Sequence, residues 1–205
     1  MNHFKYEKTL VLIKPDGVQR SLIGEVIRRH ERVGLKLAGM KLILADEDKI
    51  EKHYTLDKNW KKSVGEKTIE AYKNKGVEPP SQDPVELGNV VLGNLKAFMT
   101  SGPIVAMVWQ GAHAVEVVRK LVGATEPLSS SFGTIRGDFV ADSYQMADQD
   151  GRSVRNIVHA SGSQDEAEKE IAHWFSDDEI LNYNLVHEKI LYDVDWEGLL
   201  EESRF

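Results

Sequence analysis

A histidine and a carboxylate near the end of the chain have the types and spacing of a nucleophile and its partner. His159 lies in the stretch 156–160, which alternates like a short strand and is expected to place Ile157 and His159 on one face. Glu170 lies in a helix-like segment, about 40° from Trp174 around the helix axis. A carboxylate there can hold one ring nitrogen of His159 and leave the other free for attack. This layout is typical of a phosphohistidine site, although a histidine on an inward strand face is also a common hydrogen-bonded core residue.

The elements that position this pair follow from the pattern of apolar residues. Ser163 and Glu166 form a capping-box signature, so a helix should begin there. Apolar runs predict further strands at Thr9–Ile13, Leu35–Ala45 and Ile104–Trp109. Helical spacing and stop signals predict helices at Leu22–Val33, Asp46–Tyr54 and Val115–Val122. The order favours an α/β (α+β) fold, a split β-α-β arrangement with an antiparallel sheet backed by helices.

Two stretches look inserted into this order, at about 56–90 and 142–152. In the first, residues 58–75 are charged and compatible with a helix, whereas 76–84 holds three of the six prolines and predicts a loop. A long polar loop must lie at the surface, because its buried backbone groups would lack hydrogen-bond partners. Neither an internal repeat nor a linker divides the chain, so residues 1–205 are expected to form a single domain.

The composition excludes several classes of protein. The 205 residues are 41% hydrophobic and 29% charged, with a net charge of −7 and no cysteine. Disulfides, thiolate chemistry and cysteine-based metal sites are therefore excluded. The acidic balance disfavours nucleic acid and membranes as partners, so a phosphate ligand must meet local basic side chains. Because the N-terminus has no apolar signal region and no run reaches the length of a membrane span, a cytoplasmic location is expected.

Phosphate binding must rely on side chains, because the chain contains neither a P-loop nor a G-x-G-x-x-G motif. The candidates after strands and at helix ends are Lys14, Arg119, Thr125 and Arg136. An arginine can contact two phosphate oxygens, whereas a lysine offers a point charge. Each of them alone is more often a solvated surface group. The carboxylates are too scattered to predict a dedicated metal site.

Several motifs that occur in order resemble those of a known family. They are Lys14–Arg20, His53-Tyr54, Ser101–Pro103, Arg119, Gly123–Pro127, Gly133–Phe139 and Arg155–Ser161. In this combination the chain resembles the nucleoside diphosphate kinases from about Thr9 to Tyr183, interrupted by the two inserted stretches. Because the motifs are separate and ordered, the resemblance is highly specific.

The resemblance implies a ferredoxin-like βαββαβ fold with a four-stranded antiparallel sheet. It implies an enzyme that moves the γ-phosphate of a nucleoside triphosphate such as ATP to a nucleoside diphosphate, by a ping-pong route through a phosphohistidine. His159 is then the expected nucleophile, Glu170 its orienting carboxylate and Ser161 the support of Glu170. The family's positions for phosphates, ribose and the nucleophile's surroundings fall on Lys14, Tyr54, Arg119, Thr125, Arg136 and Asn156. Mg²⁺ bound mainly through nucleotide phosphates, and a homo-oligomer (hexamer or tetramer), are also implied.

Two departures from the family pattern concern the backbone and the assembly. Ala160 follows the nucleophile where the family has glycine, which would be costly if that position needed a positive φ. Phe132 replaces a proline that is common before Gly133, in a loop used for assembly.

A third departure concerns the base. Val91 and Leu92 occupy the place of the family's base-stacking aromatic ring. Trp60 and Tyr72, in the 56–90 segment, are the rings available to replace it. We therefore expect this segment to reshape the base side of the pocket.

Two other functions are compatible with the same arrangement. A catalytically silent nucleotide-binding regulatory protein would explain Ala160 and the insertions, but binding alone does not require His159 and Glu170. An RNA- or DNA-binding module is a third reading, since such sheets often bind nucleic acid. The acidic balance and the absence of an aromatic pair on a basic strand disfavour it. An active kinase is therefore the preferred prediction.

Overall fold

A four-stranded antiparallel sheet forms the centre of the computed structural model, which describes residues 4–74 and 76–192. The strands are β1 (Glu7–Ile13), β2 (Lys36–Ile43), β3 (Ile104–Gly111) and β4 (Val158–Ala160). They lie in the order β2-β3-β1-β4, and each neighbouring pair is antiparallel. Helical connections join β1 to β2 and β3 to β4, so the predicted ferredoxin-like βαββαβ fold is confirmed. Residues 1–3, 75 and 193–205 of the predicted domain lie outside the described residues.

The predicted helices are present with ends shifted by one residue or so. The helices are α1 (Pro15–Gln19), α2 (Ile23–Arg32), α3 (Glu47–Thr55), α4 (Trp60–Asn74), α5 (Pro84–Met99), α6 (Ala114–Val122), α7 (Ile135–Phe139), α8 (Tyr144–Gln149), α9 (Gln164–Trp174) and α10 (Glu188–Tyr192). Short 3₁₀ helices cover Phe4–Tyr6, Pro127–Ser129 and Asp177–Glu179. Ser163 caps α9 as predicted, because its side chain accepts the backbone N–H of Glu166.

Both faces of the sheet are covered by apolar layers. In β1, Val11 and Ile13 belong to the layer formed with α2 and α6, whereas Leu10 and Leu12 belong to the layer formed with α3 and α9. The strand β3 alternates between the two layers in the same way. Strands buried on both faces read as continuous apolar runs, which is why the sequence identified them clearly.

The 56–90 segment is largely a pair of helices, which corrects the expectation of a long polar loop. The helix expected over 58–75 is α4, but the loop is confined to 76–83 because α5 already begins at Pro84. The side chain of Asp83 accepts the backbone N–H of Val85 and so caps α5. Proline is favoured in the first turn of a helix, where its missing N–H costs nothing. The Asp-Pro pair was therefore a helix start and not a loop signal.

Two glycines let α4 and α5 pack backbone against backbone in antiparallel fashion. A Cβ added to Gly65 would lie 1.8 Å from the carbonyl oxygen of Pro84, and one added to Gly88 would lie 2.1 Å from that of Lys61. Any larger residue at either position would force the helices apart. By contrast, a Cβ at Gly93 in the same helix α5 would meet no atom within 4 Å.

A buried histidine sits in the layer between the sheet and α2. The ring of His30 stacks on Trp109 at a centroid distance of 4.9 Å, and its Nδ1 lies 2.7 Å from the carbonyl oxygen of Val26. Because a carbonyl only accepts, Nδ1 carries the proton. Among the described residues Nε2 of His30 has no hydrogen-bond partner. Burial, which disfavours the cation, lowers the pKa of His30 to about 4.

The glycine contact predicts opposite effects for two alanine substitutions in α5. Gly88→Ala should lower the free energy of unfolding by about 1–3 kcal/mol, the usual cost of forcing extra volume into a packed interface. Gly93→Ala should raise it by about 0.5–1 kcal/mol, because alanine replaces an unconstrained glycine in a helix. Urea unfolding at one fixed protein concentration measures both. Equal effects of the two substitutions would contradict the backbone contact.

The buried His30 predicts a loss of stability in mild acid. Its folded-state pKa lies below the ordinary 6.5, so the unfolded chain binds the proton first and stability falls as the pH drops from 6.5 toward 4. Between pH 7 and pH 5 this group should cost about 2 kcal/mol of unfolding free energy. His30→Phe should make the decline shallower by that amount, whereas the exposed control His187→Phe should not. An unaltered pH dependence in His30→Phe would show that His30 does not titrate on unfolding.

Candidate active site

A tight turn directly before β4 sets the direction of the proposed nucleophile. Ile157 has a φ of 53°, and the N–H of Val158 donates to the carbonyl oxygen of Asn156 at 2.6 Å. This three-residue hydrogen bond is a γ-turn, and a positive φ is strained for a β-branched residue. The turn breaks the alternation expected for 156–160. Ile157 therefore packs in the layer with α2 and α6, while His159 faces α9, so the prediction that they share a face is wrong.

The loop after β1 holds this strained turn in place. The N–H of Ile157 donates to the Asp16 carboxylate at 3.1 Å, and the carbonyl of Ile157 accepts the N–H of Lys14 at 2.8 Å. Gly17 allows this approach, because a Cβ there would lie 3.0 Å from the carbonyl oxygen of Ile157. Helix α1 begins in this loop, with Pro15 in its first turn.

Arg136 is chiefly a clamp for the backbone around the turn. Its Nε donates to the carbonyl of Asn156 at 3.3 Å and its Nη2 to that of Val158 at 2.6 Å. Its Nη1 donates to the carbonyls of Gly123 and Ala124, both at 2.9 Å. Four of its five N–H groups are thus occupied. Burial lowers the pKa of Arg136 to about 10, so the group keeps its charge at neutral pH but has one N–H left for a ligand.

His159 and Glu170 form the hydrogen bond expected from the sequence. The ring Nε2 lies 2.8 Å from Oε1 of Glu170, and the hydroxyl of Ser161 donates to Oε2 at 2.5 Å. The Glu170 carboxylate accepts, so the proton of the neutral ring sits on Nε2. No hydrogen bond engages Nδ1 within residues 4–74 and 76–192, and this nitrogen carries the free lone pair.

Two pKa shifts describe the electrostatics of this pair. Burial, reinforced by the positive charge of Lys14, holds the pKa of His159 well below its ordinary value. The imidazole is therefore neutral and nucleophilic at pH 7. Burial also raises the pKa of the Glu170 carboxyl, and this is opposed by His53 and by the hydrogen bond from Ser161.

A chain of hydrogen bonds connects Lys14 with Thr125. The Lys14 ammonium donates to the side-chain oxygen of Asn156 at 2.7 Å, and the Asn156 amide donates to the carbonyl of Thr125 at 2.8 Å. Burial and then the charge of Arg136 lower the pKa of Lys14 to about 7. A phosphate oxygen beside Lys14 would restore the charged form, because an opposite charge favours it.

Arg119 lies near His159, and Tyr54 lies against the neighbouring ring of His53. Arg119 is exposed, and its Nη1 lies 3.6 Å from the position that a Cβ on Gly162 would occupy. Its positive charge helps to lower the pKa of His159. The Tyr54 ring is partly buried, 4.8 Å from the ring of His53. Burial raises the pKa of Tyr54, so its hydroxyl stays neutral. The predicted site residues thus gather around one imidazole.

Three residues that the sequence analysis placed in motifs without giving them a role in the site also belong to it. Asp16 holds the strained turn, and Glu166 accepts the N–H of Gly162 at 3.0 Å. His53 packs its ring edge-on against His159 at a centroid distance of 4.6 Å. The only sequence signal for His53 was its place beside Tyr54 on a short helix.

The departures at Ala160 and Phe132 have simple structural outcomes. Ala160 of β4 pairs with Val11 of β1, and its φ is not positive. Its Cβ therefore causes no backbone strain. Phe132 is 92% exposed and makes no part of the core.

The position of the base-stacking ring also has a structural outcome. Leu92 is buried within the α4–α5 pair, and so cannot offer a face to a ligand. Trp60 instead lies 5.3 Å from the ring of Tyr54, at the edge of the site. Tyr72 is half-buried farther along α4.

A groove extends from the Lys14 side of the site between α5 and the segment 151–155. It consists of two adjoining cavities of about 240 Å³ each, which share Phe98, Ser101 and Arg155. The Lys14 ammonium lies 5.7 Å from the centre of the Phe98 ring. Neither His159 nor Lys14 lines these two cavities, but Pro15 and Asp16, which directly follow Lys14, line the first of them.

The part of the chain that the structure describes offers one cluster of possible metal ligands, made by His53, His159 and Glu170. Its ligand atoms already take part in hydrogen bonds, between His159 and Glu170, from Ser161 to Glu170 and from Trp174 to His53. Mg²⁺ prefers oxygen ligands and retained water, which this cluster does not supply. Within the same described ranges, no helix has both the length and the apolar character needed to cross a bilayer.

Comparisons with known proteins agree with the geometry. The sequence model of the family described as nucleoside diphosphate kinase matches residues 7–74 and 86–180. A nucleoside diphosphate kinase of Pyrobaculum aerophilum is 48% identical over 179 residues, covering 85% of this chain and 98% of that protein. One of Borreliella burgdorferi is 40% identical over 177 residues, covering 86% and 92%.

Solved structures give the same result. The crystal structure of an NDP kinase from Pyrobaculum aerophilum superposes with a TM-score of 0.83 at 46% identity, covering 86% of this chain and all of that chain. A transition-state mimic of the Borrelia burgdorferi enzyme, with bound vanadate and ADP, gives a TM-score of 0.77 at 37% identity, covering 93% and 99%. The chain therefore belongs to the nucleoside diphosphate kinase family.

Proposed function

We propose that His159 carries the phosphoryl group when this kinase moves the γ-phosphate of a nucleoside triphosphate such as ATP to a nucleoside diphosphate. The observation that carries this assignment is the 2.8 Å hydrogen bond from Nε2 of His159 to the buried Glu170. It fixes the tautomer and leaves the Nδ1 lone pair as the nucleophile.

In the first half-reaction, Nδ1 of His159 forms a bond to the γ-phosphorus while the bond to the bridging oxygen breaks and the diphosphate leaves. The ring gains positive charge as Nδ1 gives up its lone pair. Glu170 stabilises this charge through the proton on Nε2, and Ser161 keeps the carboxylate in place. In the second half-reaction, a terminal oxygen of the acceptor diphosphate attacks the same phosphorus and restores neutral His159.

Phosphate recognition is assigned to the cations around the imidazole. Arg119 is exposed and free to contact phosphate oxygens with its fork, while Lys14 and the remaining N–H of Arg136 add charge. Phosphoryl transfer relies mainly on such positioning and charge stabilisation. Mg²⁺ would enter with the nucleotide, held by phosphate oxygens and water, and would neutralise part of the phosphate charge. Asn156, Thr125 and Tyr54 complete the proposed nucleotide site.

The α4–α5 pair is proposed to cover the base side of the nucleotide. Trp60 on α4 lies against Tyr54, and α5 forms one wall of the groove that extends from Lys14. The stretch that the family model leaves unmatched, 75–85, includes the loop at the tip of this pair. The 142–152 segment, which contains α8, contributes Gly151 and Arg152 to the opposite wall of the groove. The proposed role of both segments is to shape the base pocket.

A homo-oligomer is proposed from an exposed apolar edge of the sheet. Among the described residues β3 is the one strand that pairs with β2. Leu181 covers the first half of the other edge, because its N–H donates to the carbonyl of Ala38, whereas Met40 and Leu42 farther along β2 and Leu44 just after it are 53%, 63% and 77% exposed. An uncovered apolar edge strand is prone to pair with another chain. A second copy of this chain would cover it, and the exposed Phe132 offers a further contact for a hexamer or tetramer. The cytoplasmic location remains a prediction.

The proposed nucleophile predicts a covalent intermediate. Mixing the protein with Mg-ATP should give an acid-labile, alkali-stable phosphoprotein, which should disappear on addition of a nucleoside diphosphate. His159→Ala should abolish the label and reduce exchange to below about a thousandth of the parent rate, because the unit of nucleophile and orienting group is lost. The exposed control His187→Ala should keep both. Labelling that survives in His159→Ala would place the nucleophile elsewhere, and EDTA should suppress labelling if Mg²⁺ is required.

The exposed edge predicts a change of mass on a single substitution. Leu42→Glu puts a charge at the centre of the proposed interface, where an unpaired buried charge is strongly unfavourable. Light scattering after gel filtration should show an assembly for the parent and smaller species for the variant. The control Val77→Glu alters an apolar residue of similar exposure, 53% against 63% for Leu42, in the 76–83 loop and should leave the mass unchanged. A monomeric parent would overturn the oligomer proposal.

A further inference from the structure

A second histidine lies behind the nucleophile, and the proposed mechanism gives it no task. The His53 side chain is 1% exposed and its ring stands edge-on to that of His159, with centroids 4.6 Å apart. Its Nδ1 is 3.7 Å from Oε1 of Glu170, the same oxygen that accepts the proton of His159. A protonated Nδ1 on His53 would therefore compete with His159 for this oxygen.

Trp174 prevents this competition. Its indole N–H donates to Nδ1 of His53 at 3.1 Å. An indole N–H can only donate, so Nδ1 of His53 must hold a lone pair and the proton must sit on Nε2. Nε2 is buried and has no hydrogen-bond partner among the described residues. The fold thus accepts an unsatisfied N–H at Nε2, a cost that calls for an explanation.

We propose that Trp174 and His53 are positioning residues that reserve Glu170 for the nucleophile. Trp174 occupies the one nitrogen of His53 that could donate to Glu170, and the neutral His53 ring then supports the face of His159 without charge. The carboxylate oxygen is left to a single imidazole proton, that of His159. This inference rests on the proposed role of His159 as the nucleophile.

The charges around His53 agree with a neutral ring. The groups facing it are Lys14 at the end of β1, Tyr54 on its own helix, His159 on β4, and Glu170 and His173 on α9. Burial is the largest influence, and it holds the pKa of His53 well below its ordinary value. Among these groups, Glu170 alone favours a proton on His53. The indole N–H of Trp174 opposes this attraction, because it occupies the nitrogen of His53 that faces Glu170.

Trp174→Phe tests the inference, because it keeps an aromatic ring in the core and removes the N–H. Nδ1 of His53 then becomes free to take a proton and to donate to Glu170. The acid limb of the kcat/KM profile should move upward by about one pH unit, a loss of about tenfold at pH 6 with recovery in alkali. The main change should lie in kcat, because nucleotide contacts are unaltered. Trp109→Phe, a buried tryptophan in the other layer, is the matched control and should keep the parent profile.

A double variant separates this role from a merely structural one. Adding His53→Phe to Trp174→Phe removes the competing imidazole, so the acid limb should return to the position found in the parent. A loss in Trp174→Phe that is equal at every pH would mean that the neutral ring competes with its proton moved to Nδ1, and the double variant should rescue that loss as well. No rescue in the double variant, or a parent-like profile in Trp174→Phe, would overturn the inference.

A measurement on the parent makes the test independent of how well the variants fold. The ¹⁵N spectrum of histidine-labelled protein at pH 7 should show the proton of His53 on Nε2, and a proton on Nδ1 would contradict the inference. If the parent forms no phosphohistidine at all, the proposed function fails instead, and the two failures are thereby distinguished.

Discussion

The strained γ-turn at Ile157 is the constraint on which the site depends. An isoleucine with positive φ is unfavourable, so the conformation persists only because its neighbours hold it from several sides. Asp16 binds its N–H, Lys14 binds its carbonyl, and Arg136 binds the carbonyls on either side. Because of the turn, His159 points to the opposite face of the sheet from Ile157, into the layer that contains Glu170. Backbone strain and nucleophile placement are thus one structural feature.

This arrangement gives two of the charged groups, Arg136 and Lys14, two tasks each. Arg136 uses most of its donors on backbone carbonyls and only the remainder for a ligand. Lys14 holds Asn156 through its ammonium and the turn through its backbone. A cation that is anchored before the nucleotide arrives loses little side-chain freedom on binding, and its charge is already aimed. The cost appears in the lowered pKa of Lys14, which reflects the burial that anchoring requires.

The sequence predicted what depends on local pattern and missed what depends on distant contacts. Continuous apolar runs identified the buried strands, and the cap at Ser163 located α9 and with it Glu170. The turn at Ile157 could not be read from its own residues, because its partner Asp16 lies 141 positions away. Likewise, His53 gains its meaning only from the indole of Trp174. The pair Asp83-Pro84 begins α5, whereas the proline content of 76–84 predicts a loop there.

The glycine contact between α4 and α5 also bears on how such chains diverge. Gly65 and Gly88 fix the two helices where their backbones touch, on the site side of the connecting loop. Residues of the connecting loop beyond this contact do not need to hold the two helices in register. The loop can therefore lengthen or shorten by drift while the wall facing the nucleotide stays unchanged. Most of the stretch that the family model leaves unmatched, 75–85, is this connecting loop, where changes in length are tolerated best, and Pro84 near its end marks the contact with Gly65.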